Sequence, residues 1–202
     1  MCSSDLPLCD DAWEPLWAAA AETGLPLGFH LGGGLRTVTM SGPNASHPGN
    51  MGVRVAVSTL QMDEPLAAVV FSGALERHPR LKIVLAETGI GWLPYIHERF
   101  DDTWHRFTDA AEYWRQRGGL RLTMLPSAYL RRQVWATFQI DYAGLRLLDV
   151  VGDDRVMWAS DYPHADSTWP DSQQAIASNF KNVAESSRRR ILCDNARELY
   201  GL

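Results

Sequence analysis

The chain has 202 residues, 46% of them hydrophobic and 21% charged, with a net charge of -5. That balance excludes an intrinsically disordered chain, which carries too few apolar side chains to build a core. The surplus of 24 carboxylates over 19 basic groups argues against nucleic acid or an anionic membrane as partner, since both want a basic face.

The apolar runs are short and interrupted, so none is long enough to span a bilayer. Three cysteines, Cys2, Cys9 and Cys193, are odd in number and show no metal-type spacing, which fits a reducing compartment, the cytoplasm. At the N-terminus, Met-Cys-Ser-Ser-Asp-Leu reads like the translation of a sequencing-adapter end behind a start codon. It predicts that residues 1–6 are non-native sequence, the plainer alternative being a short disordered tail.

Asp10-Asp11 ahead of Ala12-Trp13-Glu14-Pro15 marks a helix start, and Trp13, Leu16, Trp17 and Ala20 recur at helical spacing up to a C-cap glycine, Gly24. Leu25–Leu31 reads as a buried strand leading into Gly32-Gly33-Gly34, and residues 36–50 as a loop. A helical pattern follows over 53–77, broken near Asp63-Glu64-Pro65 and closed by His78-Pro79. Leu81–Ala86 is the second strand, ending at Glu87-Thr88-Gly89. A helix carrying Trp92, Tyr95, Ile96, Arg99 and Phe100 comes next and extends towards Arg117. Pro126-Ser127 opens a short turn or helix, Trp135–Ile140 is the third strand, and 143–151 is a helix. Arg155–Ala159 is the fourth strand, ending at Ser160-Asp161-Tyr162-Pro163-His164. A terminal helix capped by Ser186 runs to Tyr200. This alternation predicts an α/β fold with a parallel sheet and crossover helices in one domain.

Polar residues gather where these strands end, and in parallel α/β folds that edge faces the active site. His30, Glu87 and Asp161 stand at three strand ends, and imidazole with carboxylate suits zinc and similar divalent ions. A bound ion lowers the pKa of its water, and a carboxylate beside it can move a proton. Each residue also has a structural reading: His30 as a hydrogen-bonded histidine, Glu87 as a cap for the helix at 90–100, Asp161 as an Asx-turn residue. His164 lies close enough to Asp161 for a substrate contact. His78 reads as structural, and His97 and His105 as packing or surface residues. Trp92 and Trp169 sit beside the candidate site loops. The three-glycine loop lacks a phosphate-binding pattern, and Arg188-Arg189-Arg190 reads as a solvated face.

The segments FHLGGG (29–34), RHPRLKIVLAETGIGWLPYIHERFD (77–101), VMWASDYPHADSTWP (156–170) and RRRILCDNARELYGL (188–202) resemble the amidohydrolase-related family, in the branch of the aminocarboxymuconate-semialdehyde decarboxylases. The resemblance implies a (β/α)8 TIM barrel with a divalent metal, zinc in many members, at the C-terminal mouth. It implies His30 and Asp161 as metal ligands, Asp161 also serving catalysis, and Glu87 and His164 as groups that handle protons or a small organic substrate. Glu87 stands where many relatives carry a catalytic histidine. No two histidines are two residues apart, so the paired ligands of the family's first strand have no counterpart, and only four strands are visible. Residues 7–202 therefore read as the C-terminal portion of a barrel, an incomplete one with open edges that predict instability or self-association into a homo-oligomer. A non-catalytic remnant with an incomplete metal site is the competing reading.

Overall fold

The computed structural model describes residues 6–31, 46–108 and 122–202. The expectations for residues 1–5, for the Gly32–Gly34 loop and for a helix reaching Arg117 fall outside these residues. Four strands form one all-parallel sheet in chain order: β1 (Leu27–His30), β2 (Ile83–Ala86), β3 (Val134–Phe138) and β4 (Val156–Trp158). The register sets Leu27 beside Ile83, His30 beside Ala86 and Phe138 beside Trp158. Each strand is shorter than its apolar run. Pro26 has no N–H to give, so the first ladder bond is Leu27 N to the Lys82 carbonyl at 2.9 Å.

Helix α1 (Glu14–Thr23) precedes β1, and α2 (Gly49–Ser58), α3 (Asp63–Phe71) and α4 (Ala74–Arg77) cross to β2. Helices α5 (Leu93–Thr103) and α6 (Pro126–Gln133) lie between β2 and β3, α7 (Tyr142–Arg146) and α8 (Leu148–Val151) between β3 and β4, and α9 (Ser172–Asn179), α10 (Glu185–Arg189) and α11 (Asn195–Tyr200) follow β4. Sequential parallel strands joined by helices are consecutive units of a (β/α)8 barrel, so the sheet is a partial barrel.

Three helix expectations need correction. The pattern at 53–77 does break at Asp63, with Pro65 in the first turn of α3 where its missing N–H costs nothing, but it breaks again at Gly73, which takes a left-handed φ of 76°, so that α4 stands apart. The helix at 143–151 breaks at Leu147. Ser186 caps nothing: α10 begins one residue before it with Ala184 as N-cap, and a π-helical turn, Arg190–Asp194, separates α10 from α11. Helix α9 was not anticipated, since its segment Ser-Gln-Gln-Ala-Ile-Ala-Ser-Asn has no apolar periodicity.

The pleat sorts the strand residues onto two faces. Ile83, Leu85, Val134, Ala136, Phe138 and Val156 point into the main core under the helices. Val84, Trp135 and Met157 point to the opposite face, where Leu199 of α11 packs on them. Near the N-terminal ends of the strands, the Arg155 guanidinium lies 4.5 Å from the centre of the Trp135 ring.

Hydrogen bonds from single side chains tie distant segments together. Asn195 Nδ2 donates to the carbonyls of Asp153 and Val156 at 2.6 and 2.7 Å, anchoring α11 to β4. Gln133 Nε2 donates to the carbonyls of His78 and Leu81, and Glu14 accepts from Arg77 and His78. The Arg77 bond, opposed by partial burial and helped by His78, holds the Glu14 carboxyl below its ordinary pKa.

Candidate active site

The polar residues singled out in the sequence lie along the C-terminal edge of the sheet. His30 closes β1, Glu87 follows β2 directly, and Asp161 and His164 lie just past β4. They form two pairs. His30 Nε2 lies 2.8 Å from Glu87 Oε1, and His164 Nδ1 lies 3.1 Å from Asp161 Oδ2. The other ring nitrogen of His30, Nδ1, donates to the Leu31 carbonyl at 2.7 Å. With acceptors at both nitrogens the imidazolium is favoured, and the His30 pKa is raised by the Leu31 carbonyl first and the Glu87 hydrogen bond second. The Asp161 charge adds to the same shift, so the carboxylates of both pairs act on one ring.

Backbone conformation singles out the two carboxylates. Glu87 and Asp161 both take a φ of 62°, the left-handed region that residues other than glycine enter rarely and at a cost of about 1–3 kcal/mol. Glu87 is held there by its N–H, which donates to Thr137 Oγ1 on β3 at 2.8 Å. Asp161 closes a turn in which the His164 N–H returns to its carbonyl at 2.8 Å. Asp161 is largely shielded, its side chain 16% exposed, whereas the His30 side chain is 63% exposed.

Two residues that the sequence reading passed over organise this edge. Thr137 receives the Glu87 amide through its hydroxyl and the Gly89 amide through its carbonyl. Asp141, just past β3, accepts from the amides of Ile90, Gly91 and Gly144, each at 2.7 Å, while its own N–H donates to Asn179 Oδ1. Asp141, and not Glu87, therefore caps the segment leading into α5. The available signal was its position, a carboxylate just past a strand end like Glu87 and Asp161.

The remaining histidines serve other ends. His78 binds Glu14, His47 Nδ1 accepts from the Gly49 amide, and His97 is buried on α5. Burial pushes the His97 pKa down to about 4, with the Arg131 charge adding to it. Trp92 Nε1 donates to the Thr88 carbonyl beside Glu87, and the arginines at 188–190 pair with Glu185, Asp194 and Asp153. An apolar groove of about 440 Å³ between Leu8, Val57, Leu60 and Pro65 contains none of the site side chains.

The donors suit a divalent cation in kind. A bond from Nδ1 to a carbonyl is the usual arrangement for a metal-bound histidine, and Nε2, which here faces Glu87 Oε1, is the nitrogen that a neutral His30 would offer to an ion in place of that contact. In number they are a partial set: among the described residues no three His, Cys, Asp or Glu side chains are gathered closely enough to hold an ion.

A parallel βα sheet with imidazole and carboxylate side chains on its C-terminal edge is the arrangement in which βα barrels carry their functional sites. The amidohydrolase family model matches residues 1–202, and the chain belongs to that family. No curated protein matches it. Among solved structures it is similar to the 5-carboxyvanillate decarboxylase LigW of Sphingomonas paucimobilis, at 25% identity over 98% of this chain and 56% of that one, with a TM-score of 0.75. An amidohydrolase of Mycobacterium avium subsp. paratuberculosis K-10 is 26% identical over 96% of this chain and 47% of that one, with a TM-score of 0.68. The dihydroxybenzoic acid decarboxylase of Polaromonas sp. JS666, with bound manganese and 2-nitroresorcinol, shares the fold at 18% identity over 98% of this chain and 56% of that one, with a TM-score of 0.70. The chain spans about half the length of these structures. Among the described residues no helix is long and apolar enough to cross a membrane.

Proposed function

We propose that the protein works as a metal-dependent hydrolase or carboxy-lyase on a small carboxylated or cyclic organic substrate. His30 and Asp161 are the proposed metal ligands, and Glu87 and His164 the proposed groups for proton transfer and substrate contact. The observation that carries this reading is the pair of left-handed carboxylates, Glu87 and Asp161, both set on the edge of the sheet where His30 ends β1. Similarity to decarboxylases of aromatic acids supports the carboxy-lyase form.

When bound, the cation supplies positive charge for a substrate oxygen or for water. The chain's own residues do the rest. Loss of carbon dioxide leaves an electron pair on the substrate carbon, which must take up a proton; hydrolysis requires a proton to leave water. Glu87 is half-shielded and lies beside His30 Nε2; with that nitrogen taken by the cation, its carboxylate would be free to give or take the proton. The Leu31 carbonyl orients the His30 ring, and the Thr137 hydroxyl holds the Glu87 backbone. We take zinc as the ion, since imidazole with carboxylate suits it, while manganese is the ion in the Polaromonas neighbour. The free thiols of Cys9 and Cys193 fit the cytoplasm as the compartment we propose.

Elemental analysis of the purified chain, and of His30→Ala and Asp161→Ala, tests the reading. We expect a divalent metal in the parent and its loss from both variants, with zinc and manganese told apart in the same measurement. A second reading, a remnant with an incomplete site, is favoured by the absence of any three-donor group among the described residues. A parent chain that takes up neither zinc nor manganese on dialysis would establish that second reading.

A further inference from the structure

Of the seven tryptophans among the described residues, Trp169 alone is exposed, at 62%. Its neighbour is Tyr162, 61% exposed, with ring centres 5.2 Å apart and planes at 58°. Tyr162 is the residue after Asp161, so the pair stands on the segment that also carries Asp161 and His164.

That segment is tied at both ends. The Thr168 amide returns to the Ser160 carbonyl at 3.0 Å, and the Ser167 amide bonds the His164 carbonyl at 3.1 Å. The Thr168 hydroxyl meets the Ser172 hydroxyl at 2.9 Å, and the Trp169 amide donates to Ser167 Oγ at 3.1 Å. Two large rings are thus presented to solvent on a hydrogen-bonded loop at the catalytic edge of the sheet. Neither is used by the core.

We propose that Tyr162 and Trp169 form a stacking platform for the ring of an aromatic carboxylic acid, making them specificity-determining residues of the site. This rests on the functional reading above and narrows its substrate class. A tilted aromatic pair offers both a face and an edge to an incoming planar ring, the two geometries that aromatic contacts prefer. His164, on the same loop, pairs through Nδ1 with Asp161 at 3.1 Å, and only its Nε2 is left to meet the substrate carboxylate, as a donor when the ring carries both protons. A saturated ring of the same size and charge keeps the carboxylate contact and loses the stacking.

Benzoate and cyclohexanecarboxylate are the matched probes, titrated by NMR into the full chain. Stacking on the pair corresponds to benzoate binding about threefold to tenfold tighter than cyclohexanecarboxylate. Trp169→Ala and Tyr162→Ala should each reduce that preference, and Trp169→Phe should keep it. Circular dichroism verifies that each variant stays folded, as exposure of the two rings leads us to expect. Equal binding of the two acids by the parent, no binding of benzoate, or an undiminished preference in both alanine variants overturns the platform. Metal content, measured on the same samples, separates this outcome from the other reading. A parent without metal that still prefers benzoate refutes the metal site and leaves the platform standing.

Discussion

Asp141→Ala removes the acceptor shared by three backbone amides, those of Ile90, Gly91 and Gly144. Each bond is 2.7 Å long and runs to a carboxylate, the stronger kind of hydrogen bond. A bond to a charged group contributes about 1.5–3 kcal/mol, but these amides are only partly buried and water recovers part of the loss. A total destabilisation of about 3–5 kcal/mol follows, which for a chain of this size lowers the melting temperature by roughly 10 °C. Asp141→Asn retains an oxygen for Ile90 and Gly91 but turns an NH2 towards the Gly144 amide, and should cost about 1–3 kcal/mol. Urea and thermal denaturation followed by circular dichroism give both values. An alanine variant within about 0.5 kcal/mol of the parent, the range expected of an ordinary surface change, refutes the clamp.

His97→Leu should alter the pH dependence of stability. His97 is neutral when folded, with a pKa of about 4 against 6.5 ordinarily, so its contribution is complete above pH 6.5 and is lost as pH falls towards 4. Between pH 7 and pH 4.5 the parent should lose about 2–3 kcal/mol more than the variant in urea titrations; parallel curves refute the assignment. Gly144→Ala drives a methyl into Ile90 Cγ1 and to 2.9 Å from the Gly91 nitrogen, and Ile90 is fully buried. Overpacking there should cost about 1–3 kcal/mol in the same denaturation assay, and an unchanged midpoint would show that the two loops do not meet.

The strands were legible because a parallel sheet covered on both faces needs near-continuous apolar runs, and Ile83–Ala86 and Val156–Trp158 are such runs. The strand-end position of His30, Glu87 and Asp161 followed from that reading alone. The Asp141 clamp was not legible, since it joins loops some fifty residues apart, and nothing local in Ile-Asp-Tyr announces that three amides will converge on it. The division of the helix at 143–151 was hidden for a similar reason: Leu147 has good helical propensity, and only the fold's geometry turns it out of the helix. Helix α9 escaped because its burial is confined to Ile176 and Asn179, the latter holding the Asp141 amide.

The left-handed backbone at Glu87 and Asp161 bears on why these residue types stand there. A tight turn after a strand is served at least cost by glycine or asparagine, and among the described residues the other left-handed positions, 24, 73, 89, 152 and 201, are all glycine. A glutamate gives the turn nothing that glycine would not give more cheaply. Its longer side chain reaches instead across to His30 on the neighbouring strand, and the Thr137 hydroxyl fixes the backbone from the other side. Asp161 takes the same φ after β4, its carboxylate paired with His164 three residues on in the same turn. Strain borne twice at strand ends, each time by a carboxylate paired with an imidazole, accords with the roles proposed for the two carboxylates, whereas the turns alone would be served by glycine.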